Sequence, residues 1–309
     1  MPAPATTRPV AALAAALLAV GLTGCATSPR VQQAASGGLI EVAASTNVWN
    51  SILSQLGGSH VRATSIISNP QTDPHAYEPT PADARTIARS RVFVENGVGY
   101  DPWAAQIVAA SPDERRTVID VGRLTGVPDG GNPHRWYSPT DVSKVADAIT
   151  AGLKKADPDD AGYFDERRRS FETVELGPYH RLIDEIRAGY AGTPVGASES
   201  IFAPLADALG LRLTTPAGFL QAISEGAEPS AADKAASERQ LSDRAVKVYV
   251  YNSQNATPDV AAQLAVARRA GVPVVGVTET IDPPDASFQQ WQVSQLQALR
   301  SALAQASGR

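Results

Sequence analysis

Short runs rich in β-branched residues alternate with capped helical stretches over residues 39–121, and the alternation returns over residues 194–303. Strand expectations fall on residues 39–44, 61–67, 91–95 and 117–121, then on 194–197, 211–214, 246–251 and 272–277. Strands separated by helices must be carried back to the same edge, so each half predicts a parallel sheet with helices on both faces. Between the halves the period is purely helical. Val142, Val145, Ala146, Ile149 and Leu153 form one stripe, and a second helix begins at Asp157-Pro158 and runs to about Tyr190. Its apolar positions include Phe164, Phe171, Val174, Ile183 and Ile186, with a kink expected at Gly177-Pro178. At 1.5 Å per residue that helix is roughly 45 Å long, a rigid spine between two α/β lobes. The charged run 166–169 reads as its solvated face. At 309 residues the chain is long enough for two lobes, each with its own core.

The amino-terminal residues read as an export signal. Arg8 precedes an apolar stretch, residues 10–22, that is too short to span a bilayer comfortably. It ends in Leu22-Thr23-Gly24-Cys25, which resembles a bacterial lipobox and places the lipidation site on the single cysteine. One cysteine allows no intramolecular disulfide, so the fold must rest on burial. The expected organisation is a signal peptide over residues 1–24, a flexible tether over 25–38, an amino-terminal lobe over 39–157, a linker helix over 158–190 and a carboxyl-terminal lobe over 191–309. The formal charge of −5 and the absence of a long basic stretch argue against nucleic acid as a partner.

Two of the four histidines share one context. His75 follows the 61–67 strand in Asp73-Pro74-His75-Ala76-Tyr77 and precedes a helix start at Thr80-Pro81-Ala82-Asp83. His134 follows the 117–121 strand in Asn132-Pro133-His134-Arg135-Trp136-Tyr137 and precedes a helix start at Ser138-Pro139. Loops at the carboxyl ends of parallel strands are where open α/β sheets place ligand chemistry. Either histidine alone reads as a residue that packs locally; the repetition changes this. His60 and His180 lack the context and read as surface residues. In the second half Glu199 follows the 194–197 strand and Glu279 the 272–277 strand. Either glutamate alone reads as a helix-start carboxylate near amide donors. Together, two neutral imidazoles and two carboxylates offset a divalent cation and are suitable donors for first-row metals.

The series TNVW, SIISNPQTDPHAYEPTPADA, NGVGYDPW, NPHRWYSP, GASES and VTET resembles the metal-binding family of ABC-transporter solute-binding lipoproteins, the cluster with the zinc and manganese carriers. The resemblance covers residues 39–303. It implies two Rossmann-like lobes joined by a long backbone helix, with one metal between them on His75, His134, Glu199 and Glu279. It further implies a monomeric, extracytoplasmic binding protein, anchored through Cys25, that hands Mn2+ or Zn2+ to a membrane ABC permease. Many members have a third histidine where Glu199 stands, and the fourth ligand is more often Asp than Glu. Asp282 and Asp285 are the next candidates for that position. Zinc carriers often have a His-rich loop before the second ligand, and residues 122–133 hold no histidine. Two other classes fit the sequence less well. A secreted metallohydrolase needs an open coordination position and a placed base, and no HExxH motif occurs. A chelate- or cobalamin-binding protein on the same plan needs no convergent His/Glu set.

Overall fold

Residues 38–69, 72, 77–255 and 257–308 are described by a computed structural model of the chain. The first sheet is built from β1 (Ile40–Thr46), β2 (Val61–Ile67), β3 (Val92–Glu95) and β4 (Thr117–Asp120) in the order β2-β1-β3-β4, all parallel. β1 and β3 are buried almost throughout, as strands covered on both faces must be. The helices are α1 (Asn47–Gly57), α2 (Pro81–Arg89), α3 (Pro102–Ala110), the short α4 (Val121–Thr125) and α5 (Pro139–Ala156). α1 buries Val48, Trp49, Ile52, Leu53 and Leu56, one helical stripe. α2 opens on a capping box in which the Asp83 amide donates to Thr80 Oγ1 and the Thr80 amide donates to the Asp83 carboxylate. Tyr77 Oη donates to the same carboxylate at 2.8 Å and its ring meets Trp103 edge-on at 5.2 Å. The cap thereby anchors Tyr77 against α2 and α3. Thr80→Ala should cost about 1 kcal/mol, read as a lower urea midpoint with unchanged slope; an unshifted midpoint would mean the cap adds nothing.

The expected single spine helix is instead two helices, α6 (Ala161–Ser170) and α7 (Gly177–Tyr190), with a π-helical turn over Phe171–Glu175. The Leu176 amide reaches back five residues to the Phe171 carbonyl at 2.9 Å. The wide turn falls just before Pro178, which has no amide to continue an α-helical ladder. It keeps Phe171 and Leu176 in the core and turns Val174 outward, 64% exposed, against its expected place on the apolar stripe. The charged run is only partly a solvated face. Arg167 donates to the Gln55 carbonyl of α1, and Arg168 pairs with Asp147 of α5 and with Glu172. His60 is fully buried, not superficial: its ring stacks on Tyr163 at 3.9 Å and its Nδ1 lies 3.0 Å from Asp160. A histidine in the α1–β2 turn is thus covered by α6, a contact invisible in local sequence. His180 is partly exposed and pairs with Glu172.

The second sheet repeats the first. β5 (Pro194–Ala197), β6 (Arg212–Leu213), β7 (Val248–Asn252) and β8 (Val274–Val277) run parallel in the order β6-β5-β7-β8. They are flanked by α8 (Ala203–Ala208), α9 (Ala217–Ser224), α10 (Ala231–Ser242), α11 (Pro258–Ala270) and α12 (Phe288–Ala306). α9 was not anticipated, being eight residues long and opened by Pro216 without a side-chain cap. α12 leaves its own lobe: the Phe288 amide donates to Ser51 Oγ of α1 at 2.9 Å, and Gln289 bonds Gln55 at 2.8 Å. The lobes therefore do not have wholly separate cores. One apolar cluster runs from Ile40 and Trp49 through Tyr179 and Ile186 to Trp291 and Leu303, with smaller clusters on the outer sheet faces. Both sheets belong to one compact unit, Ala34–Arg309.

Candidate metal centre

Parallel strands present their final residues to the crevice at their carboxyl edges. Glu199 lies two residues beyond β5, in extended backbone that leads into a single 3-10 turn, Ser200–Phe202. Glu279 lies two residues beyond β8. His134 opens the 3-10 turn Arg135–Tyr137, ahead of α5. One donor atom from each of these three residues lies within 4.8 Å of the others. His134 and Glu199 are each 1% exposed, and Glu279 is partly buried. His75 and Cys25 lie outside the described residues. Asp282 and Asp285 are exposed and stand apart from the gathering.

A shell of neutral donors surrounds the carboxylates. Asn252, the last residue of β7, donates from Nδ2 to Glu199 Oε1 at 2.7 Å and to Glu279 Oε1 at 2.8 Å. Asn255 Nδ2 donates to Glu199 Oε2 at 2.7 Å. From the other lobe, Tyr100 Oη donates to Glu279 Oε2 at 2.9 Å. Every oxygen of the two glutamates thus receives a hydrogen bond while keeping a lone pair for a cation. Burial, and then the charge of Glu279, raise the Glu199 carboxyl from 4.5 to about 7, while the two asparagine amides oppose the shift. One buried and one partly buried carboxylate beside an imidazole make a site that gains from a positive ion and bears a repulsive cost without one.

The loop presenting Tyr100 is held by Asp101, whose carboxylate accepts the amides of Asn96 at 2.7 Å and Gly97 at 2.8 Å. Gly97 has a φ of +68°, and a Cβ there would approach Asp120 Oδ1 to 2.3 Å. Val98 follows at a φ of 56°, a costly conformation for a β-branched residue. Strain at that position buys the placement of Tyr100 over the crevice. Asn252, Asn255, Tyr100 and Asn132 were not singled out from the sequence. Their signal was faint: uncharged polar residues, Asn252 closing β7 and Asn255 following it, Tyr100 in the loop after β3 and Asn132 two residues before His134. A second gathering, His60 with Asp157 and Asp160, lies outside this crevice. Its imidazole is occupied by the Asp160 pairing and the Tyr163 stack, so it reads as a staple between the β2 entry and α6.

The family described as zinc-uptake complex component A, periplasmic, matches residues 42–302. The manganese-binding lipoprotein MntA of Halalkalibacterium halodurans is 28% identical over 127 residues, 40% of this chain and 41% of that protein. The high-affinity zinc uptake system protein ZnuA of Bacillus subtilis is 25% identical over 211 residues, 62% of this chain and 64% of that protein. These alignments span less than two thirds of either relative. Among solved structures, a Mn-bound periplasmic metal binding protein from Candidatus Liberibacter asiaticus superposes with a TM-score of 0.70 at 19% identity, over 85% of this chain and 98% of that one. A crystal structure of ZnuA superposes with a TM-score of 0.66 at 22% identity, over 87% and 98%. At these identities the likeness bears on the fold: two parallel-sheet α/β lobes. With the family match extending from β1 into α12, the chain belongs to the zinc-uptake complex component A family.

Proposed function

We propose that this protein is the extracytoplasmic solute-binding component of an ABC importer, capturing one Mn2+ or Zn2+ ion and delivering it to a membrane permease. The observation that carries the reading is the convergence of His134, Glu199 and Glu279 from the two lobes within 4.8 Å, the first two buried and the third partly so. His75 is the fourth ligand in this reading, two imidazoles coming from one lobe and two carboxylates from the other. Cys25 is the lipid anchor, residues 25–38 the tether, and the protein acts as a monomer. Four protein donors close the coordination sphere, which suits carriage better than catalysis. The relatives' names and the family description support the transport role.

Manganese is the preferred cargo of this donor set. Zn2+ binds most sites more tightly than Mn2+, so preference for manganese must come from geometry and donor type. Two glutamates able to chelate through both oxygens allow more than four donor atoms, and oxygen is the harder donor. Metal analysis of the purified protein, followed by competitive titration, tests the reading; a protein that takes up neither ion at one equivalent would refute it. Glu199→His should raise the Zn/Mn affinity ratio by roughly tenfold, because it exchanges an adaptable carboxylate for a borderline nitrogen. A ratio that stays level or falls would mean that Glu199 does not set selectivity.

A further inference from the structure

Asn132 touches both lobes, and its two ends can be told apart without reference to proton positions. Its Oδ1 lies 3.0 Å from the backbone amide of His134, which can only donate. Its Nδ2 lies 2.7 Å from the backbone carbonyl of Ser200, which can only accept. These two contacts fix the orientation of the amide. The same Oδ1 lies 2.9 Å from His134 Nδ1, so that nitrogen must carry the proton and Nε2 is left as the lone-pair face of the ring. Ser200 directly follows Glu199. One side chain therefore sets the tautomer of a ligand on the amino-terminal lobe and grips the backbone beside a ligand on the other lobe. It stands at the rim of a crevice between the lobes, lined also by Arg135, Thr140, Ala203, Pro204 and Asp207.

We propose that Asn132 is a two-ended clasp that couples the orientation of His134 to closure of the lobes, and so sets the rate at which the bound ion leaves. The inference rests on the reading of His134 and Glu199 as metal ligands. Separating the lobes removes the Ser200 carbonyl from Nδ2, and an Asn132 side chain anchored at His134 alone holds the imidazole less firmly in its metal-binding orientation. Closing the lobes restores both together. Groups that orient a metal-bound histidine contribute about 10–100-fold to affinity, so the effect belongs in that range.

The test compares native protein with Asn132→Asp and Asn132→Ala, measuring release of Mn2+ and Zn2+ to an excess of chelator by stopped flow. Asn132→Asp keeps an oxygen for His134 and loses the donor to Ser200; Asn132→Ala loses both ends. Release should accelerate in the aspartate variant and accelerate further in alanine, by about tenfold or more over native. In parallel, 15N shifts of the His134 ring in the metal-free protein should report a proton held on Nδ1 in native and aspartate forms and a tautomer mixture in alanine. A general loss of structure would not produce that pattern. An aspartate variant releasing at the native rate would make the Ser200 end idle, and one releasing as fast as alanine would make the His134 end idle; either overturns the coupling. His134→Ala in the same assay isolates the underlying reading: if it retains metal like the native protein, the ligand assignment has failed rather than the clasp.

Discussion

Glu199→Ala is expected to weaken Mn2+ and Zn2+ binding by about 100-fold or more, beyond the 10–100-fold typical of disturbing a ligand's supporting partner. The substitution removes a donor that is 1% exposed and one of the two negative charges of the crevice. It also leaves the Asn255 amide without its 2.7 Å acceptor and Asn252 with only Glu279. Among the described residues Asn255 then keeps only the Ile223 carbonyl at 3.4 Å, so the site loses two strong hydrogen bonds along with the donor. His134→Ala and Glu279→Ala should fall in the same class. Competitive titration against a metal indicator is the measurement, and a native affinity for any of the three would remove that residue from the ligand set. His180→Ala is a suitable control, since it is partly exposed and bonds only within the spine region. His60→Ala is a poor one. It would empty a buried slot under Tyr163 and confuse a stability loss with a binding loss.

The second large effect concerns stability and lies away from the metal. Glu95 ends β3 in register with Asp120, is 7% exposed, and its Oε2 has no hydrogen-bond partner among the described residues. Burial first, then the charges of Asp101 and Asp120, raise its carboxyl from 4.5 to about 7, with Arg123 opposing. A carboxyl raised on folding is held better with its proton than without. Its contribution is full below about pH 4.5 and is lost as pH rises through about 7. The native fold thus carries a penalty of up to about 3 kcal/mol above neutrality, each tenfold in proton affinity being about 1.4 kcal/mol. Glu95→Gln should remove it, raising stability at about pH 8 while leaving it nearly unchanged at about pH 4.5. Urea unfolding at the two pH values decides the matter; an equal difference at both would mean that Glu95 is ionised in the folded protein throughout.

What the sequence disclosed and what it withheld follow from the range of the forces involved. The paired settings of His75 and His134, and the positions of Glu199 and Glu279 just past strands, are local patterns, and strand-edge geometry turns them into a shared crevice for the three that are described. Both sheets and their strand positions were legible from β-branched runs; β2 and β5 fall on the expected residues. Asn252 escaped notice because its role is to sit between two carboxylates that are 53 and 27 residues away in the chain. The burial of His60 depends on α6, 104 residues from the Ser59 contact to Tyr163. The π-helical turn before Pro178 was anticipated as a kink but placed too late, since the proline acts on the turn preceding it. Periodicity also could not reveal that Val174 is rotated out of the apolar stripe.

The course of α12 bears on how such a chain comes to be folded at all. These 19 residues come after both sheets in the chain, yet they complete the packing of α1, which precedes the second strand. A chain emerging amino-terminus first can form its initial sheet but must leave Trp49, Ile52 and their neighbours without their full cover until α12 arrives. Contacts closed over more than two hundred residues form late and slowly. Disrupting the first turn of α12, where Phe288 and Gln289 meet α1, would therefore be felt in the half of the molecule made first.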